Sequence, residues 1–455
     1  MPPLPRVPSW LLSLTLLRLL VAAFVPLSPD EAYYRLWSTA LAPGYLDHPP
    51  MVALMIRAGT ALAGGGPLGV RLLAPFAALL GSLLLMDAVD RAAPGRGEAA
   101  ALLLNSTLLF GAGAIIVTPD TPLLLFWTAA LWALARLEET WDRRWWFAAG
   151  LATGLALFSK YTAFLIFPAV LVWLIAVRPR ELRRWEPWAG LALAFLVFAP
   201  DIAWNAAHHW VSYAKQGGRL FDFQPLRALQ FMGELIGGQI GLATPLVALL
   251  LVQGQVRAWR GRAILPLAFT LVPTAVFVIH ALGDRVQGNW PAVIYPSAAL
   301  ATALYPIPLR RLRQAIGLGM GITLLVYFQA ATGLLPLPAR LDPAARQLRG
   351  WSTMARDLPR ADFLAAENYG VASELALFRH PVFGAAPRWS FFTLPRAMPR
   401  GTGLLLTDGR PDPVFWASIH RVGTVARSSH GVVLARYRLY RVTPREKLTL
   451  LTAGK

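Results

Sequence analysis

The strongest constraint on this chain is a succession of apolar blocks roughly 17–23 residues long, each able to cross a bilayer core of about 30 Å. Only 15% of the 455 residues are charged and 56% are hydrophobic, whereas soluble domains carry about 25% charge. A soluble helix of this length would alternate apolar and polar faces with a 3.6-residue period. These blocks do not. The fold class this predicts is an α-helical polytopic membrane protein of about 11 transmembrane helices, with a small C-terminal α/β extracytoplasmic domain.

The expected spans are Trp10–Leu27, Pro67–Val89, Glu98–Val117, Thr121–Leu137, Trp145–Phe158, Tyr161–Val177, Pro187–Trp204, Gln230–Val252, Ala263–Leu282, Trp290–Tyr305 and Gln314–Leu335. The first lacks a small-residue cleavage site after it and reads as a retained anchor. The formal charge of +19 does not point to nucleic acid. Its arginines sit in short loops between apolar blocks, with no basic helix or aromatic-basic surface motif. With the N-terminus inside, sixteen basic residues fall in inside loops and seven outside. That bias sets the orientation in a cytoplasmic membrane as N-terminus in and C-terminus out.

Two features break the simple pattern. The Trp145–Phe158 block is too short to cross the core, so the turn at Ser159-Lys160 is expected at membrane depth. Broken helices are tolerated where they line a cavity. The first outside loop, from Ser28 to about Gly66, is patterned rather than plain. Glu31–Leu41 and Met51–Leu62 read as short interfacial helices. The chain divides into a transmembrane part, 1–340, and an outside domain, 341–455. In the latter a helix is expected at Val371–Phe378 and strands at Gly403–Thr407, Gly431–Tyr437 and Leu439–Val442.

Carboxylates are scarce, 24 in all, and several mark the outer ends of the expected helices: Asp30, Glu31, Asp47, Asp120, Asp201, Asp222 and Asp284. Ionisable groups at membrane depth are costly and usually functional. Asp30-Glu31 follows Pro29 and opens an interfacial helix, where Asp also caps. Tyr33 and Tyr34 beside it offer rings to a sugar or lipid. Asp47-His48-Pro49-Pro50 is a stiff turn that reads as a positioned acid, a metal-ligand pair or an ordinary cap. Lys160 needs an anion at its depth, either a phosphate or Asp120. Arg285 is a second candidate phosphate clamp. There is no cysteine, no nucleotide-binding glycine loop and no HExxH motif.

Six ordered motifs carry a likeness to a known family: SPDEAYYRLW, GYLDHPPMVALMIR, TPDTPLLLFW, GLALFSKYTAFL, GGQIGLATPL and GDRVQGNWPAVIYP. The chain resembles the polytopic class C glycosyltransferases of glycosyltransferase family 39, the branch of protein O-mannosyltransferases and bacterial lipid A aminoarabinose transferases. The resemblance covers about residues 8–335. It implies an inverting transfer from a polyprenyl-phosphate-linked sugar to an extracytoplasmic acceptor: lipid A, a polysaccharide, another lipid or a protein hydroxyl. It implies Asp30 as the base, with Glu31, Asp47, His48 and Asp120 organising the site. Lys160 and Arg285 would hold the donor phosphate, and Tyr33, Tyr34 and Trp290 would line the substrate. Relatives differ in metal dependence; a divalent ion, where used, would fall to Glu31 and His48. The rival readings are a lipid-linked sugar flippase, which would usually show repeated halves, and a polysaccharide ligase.

Overall fold

The computed structural model describes residues 7–217 and 225–451. Asp222 and Arg219 lie outside the described residues. By compactness the chain forms two units. The first comprises Met1–Leu19, Asp47–Val52 and Leu73–Leu325; the second comprises Leu20–Leu46, Ala53–Leu72 and Val326–Lys455.

Among the described residues, four helices are long and apolar enough to cross a membrane: Pro67–Ala92, Glu186–Ala207, Ile264–Ala281 and Leu309–Thr332. Two bent pairs, Ser9–Phe24 with Pro29–Thr39 and Pro225–Ala243 with Pro245–Arg260, raise the count to six if each is one span. The expected eleven are not fixed by length, because several apolar blocks are broken. Glu98–Val117 folds as Gly97–Asn105 and Leu108–Gly113. The break falls where the Thr107 side chain caps the second helix. Gln230–Val252 also fails as one helix. Pro245 disfavours helical backbone at the residue before it, Thr244 takes φ 65°, and the two halves diverge by 104°.

In the first unit, Trp145–Leu157 (13 residues) is as short as expected. It docks on Glu186–Ala207 through small residues. A Cβ at Gly150 would strike the Gly190 backbone, and one at Gly154 would strike Ala194. Such contacts let helix backbones approach closely where no water drives association. The unit's apolar core runs through Trp127, Leu131, Leu157, Trp173, Phe198, Phe269 and Ala299.

The short helices expected in the first loop form as Pro29–Thr39, in the second unit, and Met51–Ala63, which from Ala53 on also belongs to it. Ser28 and Glu31 close a capping box at the start of the first, satisfying two helix-end donors. The C-terminal part is a seven-stranded mixed sheet. Its strands are β1 (Phe363–Ala366), β2 (Val382–Gly384), β3 (Arg396–Ala397), β4 (Gly403–Thr407), β5 (Trp416–Ser429), β6 (Val432–Pro444) and β7 (Leu448–Leu450). Their order is β3-β7-β2-β1-β4-β6-β5, with β2-β1-β4 parallel. The strand at Gly403–Thr407 and a helix at Tyr369–Phe378 match the sequence reading. The two strands expected at Gly431–Tyr437 and Leu439–Val442 are one continuous strand, β6. Its partner β5, rich in polar residues, gave no apolar run to read.

Candidate active site

In the first unit the scarce charges converge. Asp120 opens the helix Asp120–Thr140 after the Thr118-Pro119 turn. Lys160 follows the short helix Trp145–Leu157 and precedes the turn Tyr161–Leu165. Both side chains are buried, and Lys160 Nζ donates to Asp120 Oδ1 at 2.7 Å. The other carboxylate oxygen accepts from Asn289 Nδ2 at 2.6 Å. A buried lysine thus has its counter-charge, as burial demands. It retains two N–H donors beyond that bond for an incoming anion.

Asp47 and His48 belong to the same unit. Lys215 pairs with Asp47, and Gln216 Nε2 donates to the Asp47 carbonyl at 3.0 Å. Past the two prolines, Met51 N donates to the Phe158 carbonyl at 3.1 Å. This bond ties the Asp47-His48 turn to the segment that carries Lys160. Burial, then the Lys160 cation, push the His48 imidazole down to about 4. It is therefore neutral near pH 7 and can accept a proton or hydrogen bond there.

Next to Lys160, Tyr161 enters a network not anticipated from the sequence. The Tyr161 and Tyr213 hydroxyls each donate to Asp201 at 3.3 Å, and Asn205 Nδ2 donates to Asp201 Oδ2 at 3.1 Å. The fully buried Asp201 is thereby satisfied by neutral donors. It also fixes the backbone immediately after Lys160. Arg285 sits differently: it is 61% exposed and bidentate to Glu234, at 2.6 and 2.8 Å. Trp290 opens the turn Trp290–Val293 with its ring edge-on to His280 at 5.3 Å.

In the second unit Asp30 and Glu31 part company. Glu31 is fully buried and bidentate to the equally buried Arg71, both contacts at 2.6 Å. Arg71 also donates to the carbonyls of Ala22, Val25 and Pro26. Glu31 is therefore built into the turn where the first helix ends. A cation there would have to displace a guanidinium from both oxygens. Among the described residues no three His, Cys, Asp or Glu side chains group as metal ligands.

Asp30, one residue earlier, is exposed, and its Oδ1 accepts from the Tyr369 hydroxyl at 2.8 Å. Tyr369 starts the helix Tyr369–Phe378, so the C-terminal part of the chain touches this carboxylate directly. Its ring packs on Tyr33 at 4.6 Å, with the Arg388 guanidinium 4.2 Å from its centroid. Tyr33 and Tyr34 are themselves buried among Trp37, Tyr45, Trp389 and Phe392. Their rings hold this surface together. Tyr369 carried no readable signal, because its partner lies 339 residues away. Asn289 stood inside a quoted motif, where only the contact with Asp120 marks it out.

Residues 47–204 match the family model of dolichyl-phosphate-mannose-protein mannosyltransferases. A lipid A galacturonosyltransferase, RgtD, of Rhizobium johnstonii is 26% identical over 73% of this chain and 70% of its own length. The fold is that of ArnT from Cupriavidus metallidurans. The apo structure superposes with a TM-score of 0.65 at 15% identity, and the undecaprenyl phosphate complex with 0.67 at 14%. Both cover 95% of this chain and 97% of ArnT. Family match, curated relative and fold all point the same way as the six motifs: the chain is similar to the polytopic class C glycosyltransferases of the family-39-like group.

Proposed function

We propose that this protein moves a sugar from a polyprenyl-phosphate donor to an extracytoplasmic acceptor, with inversion at the anomeric carbon. The acceptor class favoured by the curated relative is a lipid A-type glycolipid. The single observation that carries the reading is the buried Lys160–Asp120–Asn289 group. It is a buried, preorganised cation with donors to spare beyond its bond to Asp120. The reading includes the multi-pass topology of eleven spans in the inner membrane, N-terminus inside, with 341–455 outside as a domain.

In this mechanism Asp30 takes the proton of the acceptor hydroxyl. The acceptor oxygen bonds to the anomeric carbon as the bond from that carbon to the phosphate oxygen breaks. Charge grows on the departing lipid phosphate, and Lys160, oriented by Asp120, neutralises it. Neutral His48 and Asp47 shape the polar wall. Arg285 is already bidentate to Glu234, so the phosphate is assigned first to Lys160. Glu31 acts through Arg71 as support for the helix that presents Asp30.

The test is release of free polyprenyl phosphate and labelled glycolipid from a synthetic polyprenyl-phosphate sugar, using wild type and Asp30→Asn. Wild-type turnover with a dead Asp30→Asn of normal stability supports the assignment. Wild-type rates in Asp30→Asn would remove Asp30 from the chemistry. Lipid binding without turnover across several sugars would favour carriage of the lipid over transfer.

A further inference from the structure

A second charged site lies in the first unit, away from the residues assigned to transfer. A cavity of about 380 Å³ is lined by Arg143, Val177, Arg178, Pro179, Arg180, Glu181 and Arg184. Four guanidinium groups therefore face one carboxylate. We propose that this cavity binds the phosphate headgroup of an anionic membrane lipid.

The floor is built from paired and stacked side chains. Glu181 is buried and holds Arg143 at 3.4 Å, with Glu186 adding a contact at 3.7 Å. Arg178 lies 4.2 Å from the centroid of Trp141, which itself stacks on Trp173. Trp141 holds a left-handed backbone, φ 51°, which costs a residue other than glycine energy and is kept here by that packing. The rim is different. Arg180 and Arg184 are exposed and have no carboxylate partner among the described residues. The only acid in the cavity is already spent on Arg143, so the surplus charge is left for an anion. Guanidinium groups meet phosphate oxygens bidentately, which suits this lining.

The surroundings indicate a lipid as its source. The cavity opens at the ends of Ile166–Val177 and Glu186–Ala207, whose flanks leave Ile175, Val177, Leu196 and Phe195 exposed. Trp185 and Trp188 are 65% and 55% exposed beside it. Apolar flanks, an indole pair and a guanidinium cluster in that sequence mark the level where acyl chains give way to headgroups. Basic pockets between spans at this level hold acidic headgroups.

The experiment is native mass spectrometry of the whole protein released from mixed bilayers of phosphatidylglycerol and phosphatidylcholine. Three proteins are compared: wild type, Arg180→Ala/Arg184→Ala, and a control, Arg310→Ala/Arg311→Ala, with the same charge change. The expected result is retained phosphatidylglycerol on wild type and control, with adducts falling on the order of tenfold in the cavity variant. Equal loss in the control would overturn the proposal, since diffuse basic charge would then suffice. Displacement of the lipid by millimolar inorganic phosphate would also overturn it, because the site would then take a free anion. Adducts are read without any turnover, so failure of the transfer reaction leaves this result standing.

Discussion

The Tyr369 hydroxyl donates to Asp30 Oδ1 at 2.8 Å, joining the helix Pro29–Thr39 to the helix Tyr369–Phe378 that follows β1 of the C-terminal sheet. A carboxylate that must take a proton works best when one oxygen is held and the other is presented. Tyr369→Phe keeps the ring on Tyr33 and beneath Arg388 and removes only the hydroxyl. We expect turnover to fall about tenfold, the worth of a hydrogen bond to a charged group, with thermal stability unchanged. Steady-state transfer kinetics beside a melting curve check this. An unchanged kcat would reduce Tyr369 to a packing residue.

The Lys160–Asp120 pair makes a separate prediction about the donor. Lys160→Met should weaken polyprenyl phosphate binding by at least about thirtyfold, as truncating a buried charged contact does. Asp120→Asn should weaken it less, because the cation remains and only its aim is lost. Direct binding of a fluorescent polyprenyl phosphate separates the two. Equal donor affinity in wild type and Lys160→Met would leave the pair with a purely structural role.

Glu31 is expected to act through stability. Glu31→Gln leaves Arg71 buried beside a neutral amide, and breaking a buried pair costs about 3–5 kcal/mol. The melting temperature should drop sharply, and activity should follow the folded fraction. Thermal unfolding monitored together with transfer decides the point. A stable but inactive Glu31→Gln would instead place that carboxylate in the chemistry.

Glu374 gives the pH dependence of the C-terminal part. Burial pushes its carboxyl well above the usual carboxylate range, against the nearby Arg427 cation. A carboxyl raised on folding contributes stability that is full below its unfolded value, near 4.5, and is lost as pH rises through the folded value. Glu374→Gln should therefore raise the melting temperature at alkaline pH and change it little at acid pH. Melting curves from pH 4 upward test the sign; a variant less stable at high pH would mean that Glu374 is an ionised partner of Arg427.

The sequence alone determined the class of protein and much of its local structure. Continuous apolar blocks can be satisfied only in lipid, so the polytopic helical fold was legible. So were the two short helices of the first loop, although the cap expected at Asp30 is made by Ser28 and Glu31 instead; Gly64-Gly65-Gly66 ends the other. The shortness of Trp145–Leu157 was legible as a length. Breaks such as that at Thr244-Pro245 were misread because hydropathy averages over them.

Tertiary structure decided what the charges do. Adjacent residues Asp30 and Glu31 are alike in sequence, yet one is exposed against Tyr369 and the other is locked to Arg71. Lys160 could have met phosphate or carboxylate; its contact with Asp120 spans 40 residues, and Asn289 comes from 169 residues away. Strand β5 formed only because β6 lay beside it. Periodicity and caps act over a few residues and can be read directly. The pairing of a buried charge depends on which distant side chain arrives to offset its desolvation, and only the folded chain decides that.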